Sequence, residues 1–80
     1  MSPGERRQAL LALLRAHPEG MTAGQLVAVW PEADPARYGE WRSLIHQQMV
    51  KLRRDGLVTG QRIRVPASQG GEAILWRAAV

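Results

Sequence analysis

At Gly56 the hydrophobic spacing of this chain changes period, and that change limits the fold more than any other feature. Upstream, apolar residues recur every three or four positions: Leu10, Leu13 and Leu14, then Leu26, Val27 and Trp30, then Ile45, Met49 and Leu52. Such spacing gathers them on one face of a helix with about 3.6 residues per turn. Downstream, alternation takes over. Ile63 and Val65 point one way and Arg62 and Arg64 the other, while Ile74, Trp76 and Ala78 alternate with Ala73, Leu75 and Arg77. A period of two belongs to strands. The chain therefore reads as α+β, helices first and a pair of strands last.

Prolines, glycines and capping residues set the boundaries. Pro3 suits a first turn and Glu5 favours the positive end of a helix dipole, so a first helix is expected over about 5–16, stopped by Pro18 and Gly20. Thr22-Ala23-Gly24-Gln25 has the spacing of a capping box and opens a second, short helix over about 23–30, ended by Pro31. Met21, just ahead of it, suits a strand of one or two residues. Asp34-Pro35 offers another helix start, but Gly39 weakens a helix by about 1 kcal/mol. The third helix is therefore expected over about 40–55, with a turn from Pro35 before it and Gly56 as its left-handed cap. Residues 57–80 then form a hairpin about the turn-rich Pro66–Gly71 tip. Eighty residues suffice for a single domain, 1–80.

Composition removes several classes of function. With no cysteine and two histidines, neither a disulfide nor a structural zinc centre is expected. No paired carboxylates stand at a useful spacing, and neither GxGxxG nor GxxxxGK[ST] occurs. The expectation is a protein that is not an enzyme, with no cofactor, no metal and no small-molecule substrate. The longest apolar run, Ala9–Leu14, is far short of the roughly twenty residues of a membrane span, so a cytoplasmic protein with no membrane partner is expected.

The charge points to a polyanion. Residues 1–40 hold four arginines against five carboxylates, whereas residues 41–80 hold seven cations against two. Ten of the eleven basic residues are arginine, whose planar fork matches phosphate. At about 100° per residue, Trp41, Ile45, Gln48, Met49 and Leu52 share the inner side of helix 3. Ser43, Gln47, Val50 and Arg54 lie opposite, with His46, Lys51 and Arg53 on the flanks. Any amphipathic helix has a polar outer face, but solvated faces usually mix signs. Between Arg42 and Arg54 there is no carboxylate. Amide and guanidinium groups read base edges in the major groove: Gln47 suits adenine, Arg54 guanine or phosphate, and Val50 a thymine methyl. Arg62 and Arg64, about 7 Å apart on one strand face, suit neighbouring phosphates or a narrow minor groove, or simply protect an exposed edge. Trp30, Trp41 and Trp76 all fall on expected core faces. His17 falls at a helix end, and His46 has no nucleophile or ligand near it in sequence.

The order helix, short strand, helix, helix, strand, strand, with Ile45-x3-Met49-x2-Leu52-x3-Gly56-Leu57-Val58, resembles the winged helix-turn-helix domain of bacterial transcription regulators. The resemblance spans almost the whole chain. It departs at Pro31–Gly39, which is longer than the tight turn of the simplest members. It implies a basic DNA-binding protein active in transcription regulation, with helix 3 as the recognition helix in the major groove. Ser43 and His46 would then aim into that groove beside Arg42, Gln47, Val50, Lys51, Arg53 and Arg54, and Arg62 and Arg64 of the wing would touch the backbone. The capped start of helix 2 would offer N–H groups to a phosphate. The expected partner is double-stranded DNA, bound as a homodimer or beside a partner protein. The alternative from the same resemblance is a winged helix serving as a protein-interaction module in a larger nucleic-acid-processing or regulatory complex.

Overall fold

The computed structural model describes residues 2–79. Its elements are α1 (Pro3–Ala16), α2 (Ala23–Val29), a 3-10 turn (Pro35–Arg37), α3 (Tyr38–Arg54), β1 (Val58–Arg64), a second 3-10 turn (Ala67–Gln69) and β2 (Glu72–Ala78). α1 begins two residues before the expected start because Ser2 and Glu5 form a capping box. The Ser2 hydroxyl accepts from the Glu5 N–H at 3.2 Å, and the Glu5 carboxylate accepts from the Ser2 N–H at 3.4 Å. The box on α2 forms as its spacing predicts, between Thr22 and Gln25. α2 is one residue shorter than expected, since Trp30 leaves the helix in an extended conformation while its side chain stays buried.

α3 also starts two residues early and runs through Gly39. The preceding 3-10 turn, capped where the Asp34 carboxylate accepts from the Ala36 N–H at 3.0 Å, explains this. A turn already in helical geometry supplies the costly nucleus, and propagation through one glycine is then cheap. At the other end Gly56 adopts φ 75°, as its place after Asp55 predicts. Its N–H donates to the Arg53 carbonyl and the Leu57 N–H to the Leu52 carbonyl, both at 3.0 Å. This paired cap closes α3 and turns the chain directly into β1.

β1 and β2 are antiparallel, with Val58 opposite Ala78, Gly60 opposite Trp76, Arg62 opposite Ile74 and Arg64 opposite Glu72. Met21 pairs with the other edge of β2, exchanging two backbone hydrogen bonds with Trp76 at 2.8 and 2.9 Å. β2 is thus central and β1 forms the edge. Residues directly opposite one another share a face, so Arg62 and Arg64 stand on the same side of the hairpin as buried Val58 and Trp76. Gly60 lets the Trp76 ring lie against β1, because a Cβ there would come within 2.9 Å of Trp76 Cζ3.

The core draws on all three helices and both strands. Leu10 and Leu14 of α1, Leu26 of α2, Ile45 and Met49 of α3 and Trp76 of β2 have no exposed surface. Two residues depart from expectation. Trp41 is half-buried rather than buried, with the Arg6 guanidinium 5.9 Å from its ring centre. Val50, expected on the outer face of α3, is half-buried against the core. The flank of α3 that carries Val50 therefore packs inward rather than facing solvent. Three helices and an antiparallel hairpin make an α+β fold compatible with a winged helix.

Candidate nucleic-acid interface

α3 and the hairpin border an open cleft of about 1150 Å³. α3 contributes two neighbouring rows of side chains, Arg42 with His46 and Ser43 with Gln47, each pair one turn apart. β1 contributes Arg62, and β2 contributes Glu72, Ile74 and Trp76. Ser68 and Gln69 of the hairpin tip and Thr22 and Gln25 of the α2 capping box complete the rim, with Tyr38 at the start of α3. The four α3 residues and Arg62 are all exposed. Five of the ten residues singled out from the sequence therefore meet in one place, although Arg62 lies 15 or more positions beyond the others.

The remaining five are distributed otherwise. Lys51 and Arg54 are exposed on α3 but outside the cleft lining, as is Arg64 near the far end of β1. Arg53 is exposed with its guanidinium 5.3 Å from the Trp76 ring centre, a cation–π contact. Val50 is withdrawn against the core and presents little surface to a ligand. The N–H groups of Thr22 and Gln25 are both used within their capping box, at 2.9 and 3.2 Å, which narrows what the start of α2 offers to an anion.

Charge pairing divides the molecule. Arg6 makes a two-point contact with Glu32, at 3.1 and 3.2 Å, and Trp30 Nε1 donates to the same carboxylate at 3.3 Å. The Arg6 hydrogen bond holds the Glu32 carboxyl below the ordinary carboxylate range, and Glu32 in turn raises the Arg6 guanidinium. Arg37 is paired with Glu40, and His17 Nδ1 lies 3.1 Å from Glu19. Among the described residues, no ion pair involves Arg42, Lys51, Arg54, Arg62 or Arg64. All five side chains are exposed.

Two aromatic features of the cleft were not apparent from the sequence. His46 meets Trp76 edge-on, with ring centroids 5.9 Å apart and planes at 64°. Trp76 is fully buried, yet its Nε1 has no hydrogen-bond partner among the described residues. Tyr38 covers the start of α2, its hydroxyl 2.9 Å from where a Cβ on Gly24 would lie. The Thr22-Gln25 capping box is visible in the sequence, but nothing local indicates that it shares a cleft with the hairpin tip. Among the described residues, no group of three or more His, Asp or Glu side chains is placed to hold a metal ion, and no helix is long and apolar enough to cross a membrane. Comparison with models of known protein families, with curated proteins and with solved structures finds no match.

Proposed function

We propose that this chain is a winged-helix domain that binds double-stranded DNA sequence-specifically and acts as a small transcription regulator. One observation carries the reading: unpaired cations from two separate elements, Arg42 of α3 and Arg62 of β1, border a single cleft beside the hydrogen-bonding Ser43 and Gln47. Cations without carboxylate partners neutralise phosphate at no cost of breaking an ion pair. Ser43 and Gln47 supply the donors and acceptors that distinguish base edges. Arg54 and Lys51, exposed further along α3, extend the phosphate-facing surface.

The reading as a protein-interaction module has weaker support. Among the described residues, Val29 and Tyr38 are the large exposed hydrophobics, at 53% and 48%, and two such side chains do not make an apolar patch.

Duplex binding measured across a salt series tests the proposal. If about four cations meet phosphates, log K falls with log salt at a slope near −3.6. A mixed-sequence duplex is expected to bind at low salt, and a selected sequence to bind tighter. Absence of duplex affinity at low salt would overturn the reading.

A further inference from the structure

His46 stands in the cleft with cations on both sides. On its own helix Arg42 lies one turn before it, and Arg53 is held on the Trp76 ring. Across the cleft, β1 contributes Arg62 and β2 contributes Glu72, the Tyr38 phenol stands at the start of α3, and Thr22 and Gln25 of the α2 capping box carry no charge. The edge-on contact with Trp76 orients the imidazole, and Trp76 is fixed in the core by complete burial. Histidine is the side chain of ordinary pKa that changes charge between pH 5 and 8. In this cleft it is the group whose charge can be set by the ligand.

Building on the DNA-binding reading, we propose that the cleft between α3 and the hairpin holds one sugar–phosphate strand of the duplex, and that His46 takes up a proton as a phosphate seats against it. The geometry favours a single strand. If α3 enters one groove and the hairpin its neighbour, the backbone dividing the two grooves must run between them. Arg42 and Arg62 then face that strand from opposite sides, and an imidazolium at His46 adds a third cation to the same cleft. A phosphate that binds imidazolium better than imidazole draws in a proton, and affinity rises as pH falls.

The test is a salt series on one mixed-sequence duplex at pH 6 and pH 8, with wild type, His46→Gln, His46→Lys and His17→Gln. A rise of one pKa unit in the complex corresponds to about tenfold tighter binding of the protonated form. Wild type is expected to bind several-fold to about tenfold more tightly at pH 6, with a log–log salt slope steeper by about 0.9, the increment for one more neutralised phosphate. His46→Gln should lose both changes. His46→Lys should show the steeper slope at both pH values. His17→Gln, altered at the far end of α1 beside Glu19, should behave as wild type. Duplex binding with a pH-independent slope, or with the same pH dependence in His46→Gln, overturns this inference and leaves the DNA-binding reading standing. No duplex binding at either pH overturns both.

Discussion

The two halves of this protein use arginine differently. Before α3, two arginines are fastened down: Arg6 joins α1 to the segment after α2 through Glu32 and lies over Trp41 of α3, and Arg37 is tied to Glu40. From Arg42 onward, no cation of α3 or β1 has a carboxylate partner among the described residues. The same side chain thus serves as a cross-brace in one half and as an exposed cation outside any ion pair in the other. A paired arginine has its fork filled, whereas an unpaired one keeps all five donors available. Net charge alone conceals this, since it sums braces and free cations together.

The largest effect expected comes from the place where the halves share a core. Trp76 belongs to the unpaired half, yet it is fully buried and joined by backbone hydrogen bonds to Met21 of the other half. Trp76→Ala should cost about 3–5 kcal/mol in denaturant unfolding. It should also disorder the cleft, because the ring supports both His46 and Arg53. A loss below 1 kcal/mol would mean that the hairpin is an appendage and that the halves are structurally independent.

Next in size is the double change Arg42→Ala/Arg62→Ala. A hydrogen bond to a charged group contributes about 1.5–3 kcal/mol, so loss of both should weaken duplex binding by about a hundredfold or more. The salt slope should flatten by about 1.8. Folding stability should stay within about 0.5 kcal/mol, as for other surface substitutions. If stability falls while the slope is unchanged, these arginines are braces after all and the contrast between the halves fails.

These expectations also show how far the sequence could be read. Periodicity was sufficient for the order of elements, and Thr22-x-x-Gln25 and Gly56 marked real helix ends because capping is local chemistry. The early starts of α1 and α3 are equally local, and both lie in features visible beforehand: Ser2 with Glu5, and Pro35 after Asp34. Val50 is a different case. A helical wheel gives its angular position, but whether that flank is covered depends on how the other elements pack against α3, which no single helix encodes. Likewise Arg62 could be assigned to a strand face from alternation, while its convergence with Arg42 needed the register that sets it opposite Ile74. Tertiary placement, rather than local propensity, decided which cations share a cleft.

Two glycines sharpen the comparison at smaller scale. Gly56, closing α3, has φ 75° and open space where a Cβ would lie; Gly20, preceding the Met21 bridge, has φ 92° and would place a Cβ 2.8 Å from Leu75 Cγ. Gly56→Ala should therefore cost about 1–2 kcal/mol, the backbone term alone. Gly20→Ala should cost more, because the side chain of Leu75 must also move. Thermal unfolding of both variants checks the order, and equal costs would show that Leu75 yields freely.

The smallest effect concerns the brace itself. Because Glu32 is held below the ordinary carboxylate range in the folded protein, it binds fewer protons there than in the unfolded chain. Its contribution to stability is complete at neutral pH and disappears as pH falls through its lowered folded value. Glu32→Gln should thus melt below wild type at pH 7, and the gap should close on acidification toward pH 3. Glu5 and Glu19 are also held low, by Ser2 and by a backbone hydrogen bond respectively, and both remain in the variant. They lower both melting curves together, so the closing difference belongs to Glu32. Melting curves that stay parallel down to pH 3 would show that Arg6 and Glu32 do not brace the fold, and pairing would no longer distinguish the first half from the second.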